Sequence, residues 1–273
     1  MTESLAGLVR QHYEAGPDGV GLVAKVAAFL DSLGEDAAQA SQLAGLDQFH
    51  VGGLPATMEL AAFAGVRHGS DVLDAGSGLG GPSRYLADAY GCTVAGVDLA
   101  PSYVAIAQLL AERTGLGGRV AYRVGDLAEL PFGDGCFDLV WTQHVVMNVR
   151  DRKEVYREFK RVLRPGGRVA FYDVLAGDGH PDVVFPVPWA ERAGTSFLLT
   201  EAETAAAFRQ AGFEPGGWKD VTAAAVAGFG QPRPPVPPGP SLAAVMGPRF
   251  AGMAANLARN LREGRVRLVM GVA

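Results

Sequence analysis

Residues 71–90 constrain the fold of this chain more than any other stretch. Asp71-Val-Leu-Asp-Ala75 has the composition of a short buried strand, with an acid, Asp74, next to its end. Gly76, Gly78, Gly80 and Gly81 follow at once, so the main chain there can take positive φ and leave its backbone bare. Pro82 suits the first turn of a helix, and the spacing predicts that helix over 82–90, with Tyr85, Leu86 and Ala89 on its packed face. The same strand-then-helix pattern continues. Strands are expected at 93–98, 119–124, 137–142 and 167–174, and helices at 101–115 and 152–163. In the last helix Val155, Phe159, Val162 and Leu163 form a core-facing stripe, and Arg164-Pro165-Gly166-Gly167 ends it. Regular alternation of this kind builds a parallel sheet with helices on both faces.

The flanks break the pattern. Residues 1–60 read as irregular helices interrupted at Gly16-Pro17, with Pro55 opening a helix that runs to Ala64. From 175 to 199 the sequence turns rich in glycine, proline and aromatics, the composition of a lid inserted after the fifth strand. Thr200-x-x-Glu203 fits a capping box, and a strand is expected at 213–222. Residues 231–240 read as a polyproline II connector, followed by one helix near 241–263 and a strand over 265–270. We divide the chain into a helical cap, 1–60, and a main domain, 61–273, packed as one unit.

With 48% hydrophobic and 19% charged residues, the chain has material for a large core. Its net charge of −5 disfavours a nucleic-acid surface, and the cations Arg157, Lys160, Arg161 and Arg164 read as the solvated end of one helix. Cys92 and Cys136 give neither a disulfide framework nor a metal signature, and His12, His68 and His180 give no ligand spacing. No leader or membrane-spanning pattern is visible, so a cytoplasmic location is expected, with no membrane partner.

A strand, a glycine turn and a helix N-terminus together suit a nucleotide cofactor. Gly76, Gly78 and Gly81 satisfy the dinucleotide fingerprint literally, so a nicotinamide oxidoreductase is one reading. The acids around the turn favour another. Asp74 would repel a pyrophosphate but suits the ammonium and sulfonium of S-adenosylmethionine (SAM), which has no phosphate. Asp98, closing Thr93-Val-Ala-Gly-Val-Asp98, can accept from ribose hydroxyls in either cofactor. Asp126 can accept from an adenine amino group while Leu127 packs on the ring.

These features together resemble a class I SAM-dependent methyltransferase. The resemblance spans roughly residues 45–272 and rests on Asp74-x-Gly-x-Gly-x-Gly80, Asp98, Gly125-Asp126, Phe137-Asp138-Leu-Val and Leu163-Arg-Pro-Gly-Gly167. Asp47-Gln48-Phe49-His50-x-Gly52-Gly53 and Trp141-x-Gln143-His144-x-x-Met147-Asn148 make it most similar to small-molecule enzymes of the sarcosine/dimethylglycine N-methyltransferase and UbiE-like type. What the resemblance implies is a Rossmann-like seven-stranded α/β sheet of order 3-2-1-4-5-7-6, its terminal strand antiparallel, with N-terminal helices over the cofactor.

The expected cofactor set is Asp74, Gly76, Ser77, Gly78, Gly80, Asp98, Leu99, Asp126, Leu127, Gln143 and Tyr13, holding SAM and releasing S-adenosylhomocysteine (SAH). Methyl transfer from a sulfonium is an in-line displacement that asks mainly for alignment and desolvation, with no metal. Just past the fourth strand stand Gln143 and His144; His144 is a candidate base, and His50 is a second. Asn148, Tyr172, Phe185, Trp189 and Arg192 are candidate acceptor contacts, the aromatics suiting an amine that becomes cationic. The acceptor is read as a small molecule, with an amine ahead of oxygen or carbon, and the protein as free to form a homo-oligomer. A protein that binds SAM without transferring its methyl is the rival of another class.

Overall fold

The computed structural model describes residues 4–14, 19–32, 40–229 and 241–273. The expected breaks at Gly16-Pro17 and 231–240 lie outside the described residues. Four helices open the chain: α1 (Leu5–Glu14), α2 (Gly19–Ser32), α3 (Ala40–Asp47) and α4 (Gly53–Ala64). The alternating core follows as β1 (Asp71–Ala75), α5 (Gly81–Tyr90), β2 (Thr93–Asp98), α6 (Pro101–Arg113), β3 (Val120–Val124), β4 (Phe137–Gln143), α7 (Arg152–Val162) and β5 (Leu163–Ala176). Then come α8 (Glu201–Gln210), β6 (Trp218–Asp220), α9 (Thr222–Gly228), α10 (Leu242–Met246), α11 (Phe250–Arg262) and β7 (Val266–Val272).

The sheet has the expected order, β3-β2-β1-β4-β5-β7-β6. Strands β1 to β5 pair in parallel, while β7 runs antiparallel to both β5 and β6. The order reverses at β1, which lies between β2 and β4, and a ligand cleft opens at such a switch point beyond the strand ends. Two apolar layers cover the sheet. One joins Leu60, Leu86, Trp141, Leu257 and Leu268; the other joins Leu73, Val140, Phe159, Phe171 and Phe208. A third cluster packs Val26 and Leu30 of α2 against Tyr103, Ile106 and Leu110 of α6, which seats the N-terminal helices beside β2.

The α7 stripe of Val155, Phe159, Val162 and Leu163 is buried as expected, and Thr200 closes a capping box with Glu203. Elsewhere the structure corrects the reading. Ala89 is exposed, and α5 instead buries Ser83, Arg84, Leu86 and Ala87. The strand at 213–222 shrinks to Trp218–Asp220, and Thr222 begins α9, a helix that its run of alanines favours. The single helix at 241–263 is two, because Gly247 takes φ 81° ahead of Pro248. Cys92 is a buried free thiol, while Cys136 is only half-buried. Among the described residues no helix is long and apolar enough to cross a membrane.

Candidate active site

One cavity of about 1200 Å³ opens at the switch point, walled by α1, the 48–55 segment, the glycine turn, the ends of β2 to β5 and helices α9 to α11. Its sequence-predicted members are Gly76, Gly78, Asp98, Leu99, Asp126, Leu127, Gln143, His144, His50, Tyr13, Asn148, Tyr172 and Trp189. The turn holds Gly76 at φ 79° and Gly78 at φ 52°. A Cβ on Gly76 would fall 2.4 Å from Val145 Cγ2, so bare backbone is required there. Asp98 accepts from Gly78 N at 2.8 Å and from Ala100 N at 3.0 Å, which fixes its carboxylate beside the turn. Asp126 is held by Ala128 N at 2.9 Å, at the tip beyond β3.

Five expected site residues stand elsewhere. Asp74 is buried behind the turn and accepts from Ser83 Oγ at 2.5 Å; it does not line the cavity. Loss of hydration lifts its pKa to about 7, and Asp98 adds to the rise against the Ser83 bond. Ser77 points back toward Gly96, and Gly80 is covered by Tyr122. Phe185 lines a separate, smaller pocket under the lid, and Arg192 is exposed outside the cavity. A lid residue faces the cavity only where the chain turns inward, as at Trp189.

The segment after α3 is fastened by a pair that the sequence did not reveal. Arg84 is fully buried and donates to Asp47 Oδ2 at 2.6 Å and to Leu79 O at 2.9 Å. From there a chain of bonds crosses the site. Gln48 Nε2 donates to Asp47 Oδ1, and Thr57 Oγ1 lies 3.0 Å from both Gln48 Oε1 and His50 Nε2. Gln143 Oε1 accepts from Trp141 Nε1 at 2.9 Å, with Thr57 Oγ1 at 3.3 Å. Gln143 is thereby locked from two sides.

The two histidines have definable tautomers, because a carbonyl only accepts. His144 Nδ1 lies 3.0 Å from Tyr172 O and carries the proton, so Nε2 keeps the lone pair, with only Val51 N at 3.4 Å. His50 Nε2 donates to Gly53 O at 3.0 Å, leaving its lone pair on Nδ1. Burial holds His144 down to about 4 and His50 to about 3, so both rings are neutral near pH 7. Their rings and Tyr172 lie 4.6 to 6.1 Å apart. His144 itself sits at φ 54°, a conformation that costs a non-glycine residue on the order of 1–3 kcal/mol and recurs at functional sites. Asp173, missed by the sequence reading, accepts from Val145 N at 3.1 Å and so steadies this turn from below.

Asn148 is a tie between segments. Its Oδ1 accepts from Tyr13 Oη at 3.0 Å, and its Nδ2 donates to Trp189 O and Thr195 O. Helix α1 and the lid thus close one side of the cavity together, helped by His12 Nε2 on Pro188 O. The turn, with Asp98 and Asp126 near it, fits an adenosine-type group. Arg84, the basic side chain on the helix leaving that turn, is consumed by Asp47 and unavailable for a phosphate. Among the described residues no His, Cys, Asp and Glu cluster suits a metal ion.

Residues 73–171 match the family model described as "Methyltransferase domain". The sarcosine/dimethylglycine N-methyltransferase of Halorhodospira halochloris is 35% identical over 153 residues, 56% of this chain and 54% of that one. The 27-O-demethylrifamycin SV methyltransferase of Amycolatopsis mediterranei is 32% identical over 168 residues, 61% and 62% of the two chains. The chain spans about half the length of the curated relatives it matches. A solved geranyl diphosphate methyltransferase in complex with SAM has the same fold, with a TM-score of 0.66, 22% identity and coverage of 96% of this chain and 94% of that one.

Proposed function

We propose, from the premise that residues 73–171 form a methyltransferase domain of the class I, SAM-dependent type, that this protein transfers a methyl group to a hydroxyl of a small molecule. The observation that carries the proposal is His144: a neutral imidazole on the cavity wall, its Nδ1 tied to Tyr172 O and its Nε2 lone pair free to take a proton. When bound, SAM supplies an electrophilic methyl on a sulfonium. Gly76, Gly78, Asp98, Asp126 and Leu127 would hold its nucleoside, and Gln143 and Tyr13 flank the same wall. Asp74, bonded to Ser83 behind the turn, would act on the site only at a distance, with no direct contact.

The chain's own contribution is alignment, exclusion of water and removal of one proton. The hydroxyl proton of the acceptor becomes strongly acidic as oxygen gains its new bond to carbon. A base held down to about 4 is therefore sufficient, provided it starts neutral. The long contact from Val51 N to His144 Nε2, at 3.4 Å, is weak and gives way to that proton.

An amine acceptor is the second reading, favoured by the rings of Tyr172 and Trp189 on the same wall. Acceptor screening by SAH release, with sarcosine among the compounds, separates the two. His144→Ala is expected to lower turnover of a hydroxyl acceptor by roughly 100-fold or more while SAM affinity stays nearly intact. An unchanged rate would remove His144 from the mechanism.

A further inference from the structure

The wall of the cavity farthest from the glycine turn is the part least foreseen. Helices α9 and α11 pack on β7, so sheet order places them beyond β5, across from Asp98 at the end of β2. Phe229, Leu242, Met246, Phe250, Ala254 and Leu257 supply this wall, and Leu54 of α4 completes it. Its one charged member among the described residues of α4 and α9 to α11 is Glu59, neutralised by Lys219 Nζ at 2.6 Å. The other acids of the cavity stand on other elements, Asp98 and Asp126 at the tips of β2 and β3, Asp151 and Glu154 at the start of α7.

Polar groups return where this wall meets the end of β5. Tyr172 makes no side-chain hydrogen bond among the described residues, His50 keeps Nδ1 as an acceptor, and His144 keeps Nε2. One phenol donor and two imidazole lone pairs can grip one or two oxygens. The cavity's cations, Arg10 of α1 and Arg150 after β4, are exposed residues on other elements. The phenol and imidazoles themselves offer no counter-charge to a carboxylate, a phosphate or a zwitterion, and burying such a charge unpaired against this wall is costly. Size points the same way. Small-molecule pockets commonly enclose roughly 300–1,000 Å³, and the cavity of about 1200 Å³ has room for a nucleoside cofactor and a bulky second ligand.

Building on the methyl-transfer reading, we infer that the acceptor is an uncharged, lipophilic, multi-ring molecule, held by its carbon skeleton against α9 to α11. One hydroxyl accepts from the Tyr172 phenol and is thereby aimed, proton first, at His144 Nε2. The chemistry balances within that pair: the acceptor oxygen forms a bond to the methyl carbon, the carbon–sulfur bond breaks, and the hydroxyl proton goes to His144 Nε2.

The test is calorimetry on the full chain saturated with SAH, using estradiol, phenol and sarcosine as probes. Estradiol is expected to bind, phenol to bind more weakly by on the order of tenfold or more, and sarcosine not to bind. Ala254→Trp, which fills the apolar end, is expected to weaken estradiol by on the order of tenfold while phenol and SAH are unaffected. If Ala254→Trp no longer binds SAH, Phe250→Ser takes its place, with the same loss expected. Sarcosine or phenol binding as tightly as estradiol would overturn the inference, as would estradiol affinity indifferent to the substituted wall in a variant that still binds SAH. The methyl-transfer reading fails separately: the chain would then bind no SAH, or would bind acceptors and release none from SAM.

Discussion

Replacing Asp47 by alanine isolates the interaction on which the cavity's near wall depends. Arg84 is fully buried, and its guanidinium donates to Asp47 Oδ2 at 2.6 Å, to the Leu79 carbonyl at 2.9 Å and, more loosely, to the Ala107 carbonyl at 3.5 Å, while Nε has no partner among the described residues. Removing Asp47 leaves a buried cation holding mainly neutral carbonyls, which typically costs about 3–5 kcal/mol. Against a total stability of about 5–15 kcal/mol, that is a large share. With a urea slope of about 2–3 kcal/mol/M, the midpoint should fall by about 1–2.5 M. The expected penalty comes from the stranded charge more than from the loss of attraction, so Asp47→Leu with Arg84→Met should recover most of it. Urea unfolding followed by far-UV circular dichroism measures both variants. A single-variant cost under about 1 kcal/mol, or a double variant no better than the single one, would refute the reasoning. Because the pair anchors the segment carrying Phe49 and His50, SAH affinity of the single variant should fall along with stability.

Two further substitutions test the turn and its acid. Gly80→Ala at φ 74° would set a Cβ 2.1 Å from Tyr122 Oη, whereas Gly135→Ala at φ 61° meets nothing within 4 Å. Thermal melts should show Gly135→Ala losing about 1 kcal/mol and Gly80→Ala about 2–4; equal losses would rule out the clash. Asp74 in the folded chain holds its proton up to about 7, above its unfolded value, so its contribution to stability is present at low pH and is lost as pH rises from about 4 to about 7. His50 and His144, held down to about 3 and 4, act the opposite way, losing stability as pH falls below about 6.5. The difference in stability between the native chain and Asp74→Asn should therefore decline across that window and be flat above it. A difference independent of pH would place the Asp74 proton elsewhere.

How much of this was legible follows from how far apart in sequence the partners lie. The β1 strand, its glycine turn and α5 are local, and each is specified by residues within a turn or two of it. The same holds for the α7 stripe and the capping box at Thr200. The acids Asp98 and Asp126 were legible because parallel strands end on one side, so spacing alone brings their tips together. Asp74 shows the limit of that argument. Its place in the sequence gave the right neighbourhood, but its carboxylate meets Ser83 behind the turn, and spacing does not specify direction. Thr57 reaching Gln143 and Arg84 reaching Asp47 join residues far apart in the chain, and each of these side chains taken singly has an ordinary surface composition. The apolar wall of α9 to α11 stayed hidden for another reason: its leucines, methionines and phenylalanines have the same composition as core. Only their position on the cavity, meeting the histidines at the end of β5, turns them into a surface that selects a ligand. The substituted wall is therefore the sharper probe of acceptor identity, since changes at the glycine turn would alter binding of every ligand in the cavity at once.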